Sequence, residues 1–283
     1  MTGRAFQQVD VFTAEAFLGN PVGVVLDAAG WDTATMQRFT DWTNLSECTF
    51  VLPPTPEGRQ RGADYRVRIF CPGRELPFAG HPTLGTCHAW LHAGGKPHAE
   101  EVVQECGVGL VRVARIGGRL AFAAPPLRRQ GPLDNADLAR LMTGLGLEPG
   151  DVLGHSWCDN GPPWQGLLLR SADKVLTVEP NPAVLQGLDI GLIGPHTTGG
   201  DAAFEVRAFF PGHGGLAEDP VTGSLNAAMA QWLIGEGKAP NRYVVAQGRK
   251  LGRAGRVYVE QPSSDTTWIG GDTVTCIQGQ VPW

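Results

Sequence analysis

Two loops in this chain offer chemistry. One reads P-F-A-G-H-P-T-L-G over residues 77–85, the other E-D-P-V-T-G-S over residues 218–224. Each sets an ionisable residue immediately before a proline, His81 ahead of Pro82 and Asp219 ahead of Pro220, and each is followed by an apolar run that reads as a helix. Glycine and small hydroxyl residues at a helix start let a ligand approach the backbone N–H groups. Those groups and the helix dipole favour an anion by about 0.3–2 kcal/mol per helix. Gly80 and Thr83 in the first loop, with Thr222 and Gly223 in the second, are the candidate substrate-binding residues, and His81, Asp219 and Ser224 are the polar groups that could act on what binds there.

The two loops belong to a longer repeat. R-I-F-C-P-G from Arg68 matches R-A-F-F-P-G from Arg207, so that Arg68, Phe70, Pro72 and Gly73 pair with Arg207, Phe209, Pro211 and Gly212. After a slip of one residue, Pro82, Gly85 and Thr86 pair with Pro220, Gly223 and Ser224, which makes Asp219 the counterpart of His81. Asn20 to Leu26 echoes Asn160 to Leu169 more faintly. Internal repetition of this kind implies two similar halves. One site built between them is the expectation.

The elements that must hold these loops follow from periodicity and turn signals. Strands are expected at Gln7–Phe12, Val22–Leu26, from Glu47 to the Pro53-Pro54 pair, Tyr65–Phe70, Val102–Gln104, Val108–Ile116 and Leu120–Ala124. Asp32 caps a helix reaching Asp41, residues 56–61 read as a polar turn, and a helix runs over Thr83–His92. Pro125-Pro126 marks the domain boundary, giving an N-terminal domain over 1–124 and a C-terminal domain over 125–283 whose last strand can return to the first. The second half reads as helices at Ala136–Leu145, Ala183–Gly187 and Gly223–Ile234, with strands at Val152–Cys158, Gly166–Leu169, Phe204–Phe210, Tyr243–Ala246, Arg256–Glu260, Thr267–Ile269 and Thr273–Ile277. Both loop-following helices carry Ala, Leu, Cys, Met and Trp nearly all round. A helix without a polar face is buried, so each is expected at the centre of its half, wrapped by strands.

Composition narrows the function classes. A 283-residue chain with 42% hydrophobic and 18% charged residues is globular and long enough for two cores. Its net charge of −5 gives no electrostatic reason to bind nucleic acid. There is no apolar run long enough to span a membrane and no leader-like pattern at the N-terminus. Six cysteines without close spacing read as reduced thiols of a cytoplasmic protein. His88, His92, His98, His155, His196 and His213 have no metal-ligand spacing, although His213 lies inside the second loop. No phosphate-binding glycine motif follows a strand, so no cofactor is implied and none is expected.

With these residues in view, the chain resembles the phenazine-biosynthesis isomerase-like (PhzF-like) family. The resemblance rests on N-L-S-E at Asn44–Glu47, P-F-A-G-H-P-T-L-G and E-D-P-V-T-G-S, with G-N-P-V-G-V-V near the start and N-G-P-P-W at Asn160–Trp164. It covers essentially the whole chain. It implies the α+β fold of diaminopimelate epimerase: two pseudo-symmetric domains, each a mixed β-barrel-like sheet around a central helix, and a site in the cleft. It also implies a homodimer and a catalytic set of Glu47, His81, Asp219 and Ser224. Glu47 would take a proton from carbon and return it elsewhere, while His81, Asp219 and Ser224 polarise and position the substrate. Epimerases and proline racemases of the same fold use two facing cysteines. Gly80 and Asp219 are read here at those places, which argues against a two-thiol racemase.

Each residue also has an ordinary explanation. A glutamate at a strand start is usually a solvated edge residue, a lone buried histidine is usually structural, and an aspartate before a helix usually caps it. Hydroxyls in a first helical turn, as at Ser224 and Thr86, usually bond locally. The repeat and the three motifs together favour function. The expected activity is a cofactor-independent isomerase that moves a proton between carbons of a small carboxylate-bearing metabolite. The rival of another class is a non-catalytic metabolite-binding or protein-interaction module on the same fold; measured conversion, or deuterium entering at carbon, separates the two.

Overall fold

Arg68 and Arg207 lie on strands that hold the same place in two equivalent series of pairings. The computed structural model describes residues 3–197, 199–212, 214–263 and 266–282, so His213 lies outside the described residues. In chain order the first elements are β1 (Arg4–Val11), β2 (Asn20–Val25), α1 (Thr33–Thr43), β3 (Glu47–Leu52), α2 (Pro56–Gln60), β4 (Tyr65–Cys71), β5 (Arg74–Leu76), α3 (Gly80–His92), β6 (Val102–Cys106), β7 (Gly109–Ile116) and β8 (Arg119–Ala123). There follow β9 (Arg129–Gly131), α4 (Asn135–Leu145), β10 (Val152–Asp159), β11 (Pro163–Leu169), α5 (Ala172–Thr177), α6 (Pro182–Leu185), β12 (Ile190–Pro195), β13 (Phe204–Gly212), β14 (Gly215–Asp219), α7 (Gly223–Gly235), β15 (Arg242–Gln247), β16 (Gly255–Ser263), β17 (Thr266–Gly271) and β18 (Thr273–Val281).

The first series runs β1–β2 antiparallel, β2–β3 parallel, β3–β4 and β4–β5 antiparallel, β4–β6 parallel and β6–β7 antiparallel. The second repeats that order of directions through β10–β11, β11–β12, β12–β13, β13–β14, β13–β15 and β15–β16. The chain divides into two compact units, Met1–Ala123 with Gly270–Trp283, and Ala124–Ile269. Antiparallel pairing of β18 with β1 along Arg4–Val11 carries residues 270–283 into the first unit.

Within the first unit α3 packs on β1, β2, β3, β6, β8 and β18. Gly85 makes the close approach possible, because a Cβ there would stand 2.3 Å from Val22 Cγ1. In the second unit Gly191 on β12 does the same for α7, where a Cβ would meet Leu225 Cδ1 at 2.4 Å and Met229 Cε at 2.7 Å. Neither contact could relax without moving packed side chains, so both glycines are required by the central helices. A hydrophobic cluster of Val25, Trp31, Met36, Phe50 and Phe70, with Phe39 against it, fixes α1 on the sheet. Asp32 Oδ1 caps α1 by accepting from Thr35 N at 2.8 Å, and Asn44 ends it in the left-handed region at φ 57°. That turn leaves only Leu45 and Ser46 before β3, which brings Glu47 to the start of a strand buried over Cys48–Val51.

Several local expectations change. The polar turn at 56–61 is the helix α2, with Thr55 Oγ1 accepting from Gly58 N and Pro56 in the first turn, where a missing N–H costs nothing. Helix α3 begins at Gly80, three residues ahead of the expected Thr83, with Pro82 tolerated in its first turn for the same reason. Strand β12 was not anticipated, its apolar residues being interrupted by Gly191 and Gly194. Among the described residues no helix is long and apolar enough to cross a membrane.

Candidate active site

In the first unit the structure brings Glu47 and His81 together. Glu47 Oε2 lies 3.3 Å from His81 Nε2, with side-chain exposures of 17% and 5% respectively. Asn20, at the start of β2, places its Nδ2 3.3 Å from His81 Nδ1, and its Oδ1 accepts from Ser46 Oγ at 3.4 Å. The ring thus presents Nε2 to Glu47 and Nδ1 to Asn20, and a neutral imidazole carries one N–H.

His81 is neutral because burial lowers its pKa to about 3; a hydrogen bond to the Pro21 carbonyl only partly opposes that shift. The folded state therefore refuses a proton that the unfolded chain accepts below its ordinary pKa near 6.5. Stability supplied by this group is complete above about pH 6.5 and is lost as pH falls toward 3, by about 1.4 kcal/mol per pH unit. Denaturant unfolding measured between pH 7 and pH 4 should show this slope in the wild type and a shallower one in His81→Gln. Parallel slopes would mean that His81 titrates normally.

In the second unit Asp219, Thr222 and Ser224 come together. Thr222 Oγ1 donates to Asp219 Oδ2 at 2.6 Å. Trp164 Nε1 donates to Ser224 Oγ at 3.2 Å, which leaves the serine O–H able to donate elsewhere, and Asn160 Nδ2 donates to the Ser224 carbonyl at 2.8 Å. All three residues are buried, at 9%, 5% and 6% exposure for Asp219, Thr222 and Ser224.

The helix starts correct the pairing read from the sequence. Both α3 and α7 are 13 residues long, with Ala79 and Thr222 as their N-caps. Thr83 Oγ1 returns to the Ala79 carbonyl at 2.9 Å, and Asn226 Nδ2 returns to the Thr222 carbonyl at 2.9 Å. Gly80 therefore corresponds to Gly223 and His81 to Ser224, not to Asp219. The second copy runs a longer return strand, β14, so Pro220 precedes its helix while Pro82 lies inside the other. Thr83 is fully buried, and its hydroxyl bonds the Ala79 carbonyl and Gln104 Nε2.

Neither helix start has a side-chain cap. In α7 the N–H groups of Gly223, Ser224 and Leu225 fall in the first turn, where no intrahelical acceptor exists; in α3 only Gly80 and His81 supply them, Pro82 having none. Thiol chemistry has no comparable support. Burial pushes Cys48 up to about 11 and Cys87 and Cys158 to about 12, so these thiols stay protonated and inert. No group of three or more metal-ligating side chains occurs among the described residues.

Asn20 and Trp164 lie inside quoted motifs, yet their bonds to His81 and Ser224 had no signal beyond that membership. Gln247 had none at all, although it bonds Asp219, Thr222 and Asn226.

The family model for "Phenazine biosynthesis-like protein", PhzC-PhzF, matches residues 9–279. "Antisense-enhancing sequence 1" of Schizosaccharomyces pombe is 35% identical over 99% of both chains. Trans-2,3-dihydro-3-hydroxyanthranilate isomerase of Pseudomonas aeruginosa is 32% identical over 88% of this chain and 87% of its own. The crystal structure of the Bacillus anthracis PhzF-family protein superposes with a TM-score of 0.80 at 25% identity, covering both chains fully. A hydroxyproline epimerase from Agrobacterium vitis, at 14% identity and a TM-score of 0.57 over 98% of this chain and 92% of its own, shares the fold alone. The chain belongs to the phenazine biosynthesis-like family and is an isomerase.

Proposed function

We propose that this isomerase moves a proton between two carbons of a small carboxylate-bearing metabolite without a cofactor, and that Glu47 carries the proton. The observation that supports this most directly is the pairing of a partly exposed carboxylate with a buried, neutral imidazole whose Nε2 lies 3.3 Å from it. Such a carboxylate is oriented by its neighbour but not neutralised by a charge, so it can accept a proton. Glu47 removes a proton from carbon, the C–H electron pair moves into the conjugated system of the substrate, and the same proton returns from Glu47 to a second carbon. Atoms and charge balance within one molecule. In the second unit the uncapped first turn of α7 and the Ser224 O–H are donors suited to a carboxylate, and the Asp219 carboxylate beside them can orient a polar group of a bound acid. The relatives named trans-2,3-dihydro-3-hydroxyanthranilate isomerase support a cyclic, carboxylate-bearing substrate as the first class to try.

The test is turnover of such acids in D2O, followed by NMR. Conversion with a non-exchangeable deuterium, or with the original proton retained, at the receiving carbon supports the reading. Binding of carboxylates by thermal shift with no conversion and no deuterium at carbon would overturn it in favour of a binding module.

A further inference from the structure

We propose that Gln247 is a positioning residue that sets the direction of the Thr222 hydroxyl proton and thereby holds the Asp219 carboxylate. The proposal rests on Asp219 serving the reaction as described above. Gln247, at the end of β15, is 2% exposed, and its amide orientation is fixed by backbone groups that cannot exchange roles. Its Oε1 accepts from Thr222 N at 3.1 Å and from Asn226 Nδ2 at 2.9 Å. Its Nε2 must then be the donor to the Asp219 carbonyl at 3.2 Å and to Thr222 Oγ1 at 2.9 Å.

A hydroxyl that receives one donor turns its own proton toward another acceptor. Here that acceptor is Asp219 Oδ2, at 2.6 Å from Thr222 Oγ1. The three residues form a directed chain, from Gln247 N–H through Thr222 O–H to the Asp219 carboxylate. Chains of this kind strengthen each member, and a buried member left half-satisfied disrupts the rest. The same amide also occupies the Thr222 N–H at the N-cap of α7, leaving the first-turn N–H groups of that helix for a ligand. Gln247 thus acts through other groups and touches no reacting atom.

The experiment compares Gln247→Met, Thr222→Val and Thr222→Ser in the full chain, with Gln247→Asn replacing the methionine variant if that does not fold. The 13C signal of the Asp219 side-chain carboxylate is read in each, independently of any substrate. Gln247→Met and Thr222→Val should both displace that signal, although the bond from Gln247 to Asp219 is made at the carbonyl, and Thr222→Ser should restore it. With a substrate, both should lower kcat at least about 10-fold with KM changed less than about 3-fold, the double variant combining Gln247→Met with Thr222→Val should be no slower than the slower single, and Thr222→Ser should recover most of kcat. A carboxylate signal that Thr222→Val moves and Gln247→Met leaves in place would overturn the proposal, as would multiplicative losses in the double variant. Wild-type chain that turns over no substrate counts against the proposed function alone, since the carboxylate signal still decides the hydrogen-bond chain.

Discussion

Glu47→Gln should reduce turnover about 10²–10⁴-fold while changing KM little. The amide is close in shape to the carboxylate and keeps a polar atom beside His81 Nε2, so the 3.3 Å contact can persist. What it loses is the capacity to accept a proton from carbon. Because the side chain retains 17% exposure, the substitution introduces no fully buried unsatisfied group, and thermal unfolding should move by no more than a few degrees. Transfer in D2O separates the outcomes further. The wild type should place either the original proton or one deuterium at the receiving carbon, whereas the variant should do neither above the uncatalysed rate. Undiminished turnover in Glu47→Gln would remove Glu47 from the mechanism and leave the site without an identified proton carrier. A raised KM with kcat intact would instead make Glu47 a binding residue.

The repeat was readable in the sequence because R-x-F-x-P-G recurs with its spacing intact. Its loop alignment is not, because prolines and glycines are interchangeable landmarks when one loop is longer. Only the N-cap bonds of Thr83 and Asn226 fix the register of the two helices. The pairings also bring Glu47 into the repeat. Cys48 opposes Phe70 on β4 as Ile190 opposes Phe209 on β13, so the residue before Ile190, Asp189, occupies the place of Glu47 in the second unit. A comparison of one strand with another could not have found this, since β3 and β12 share almost no residue types. The fold class was legible because burial of both central helices is a compositional property. The networks around Asn20 and Gln247 were not, because one amide side chain in a strand looks like any other until its partners are known.

The duplicated arginine gives a stability prediction in which one motif behaves in two ways. Arg207→Met should destabilise the second unit by about 3–5 kcal/mol, and Arg68→Met should cost the first unit no more than about 1 kcal/mol. In both copies the arginine reaches a glutamate on the return strand of its hairpin and lies over the phenylalanine two residues on, 4.8 Å from the Phe209 ring and 5.0 Å from the Phe70 ring. The surroundings differ. Arg207 bonds Glu218 through Nε at 2.9 Å and Nη2 at 2.8 Å, and its Nη1 also donates to the carbonyls of Val178 at 2.6 Å and Val175 at 3.2 Å. Its side chain is 4% exposed and that of Glu218 12%, so methionine would strand a carboxylate and two carbonyls with little access to water. Arg68 holds Glu75 in the same forked way, but Glu75 is 40% exposed and can be solvated once its partner is gone. Since the chain has two units, one melting temperature would blur the effect. Amide hydrogen exchange resolves it: β13 and β14 should lose protection in Arg207→Met, whereas β4 and β5 should be nearly unchanged in Arg68→Met. Equal losses in both would show that the hairpin pairing itself, rather than the burial of its charges, sets the stability of the repeated unit.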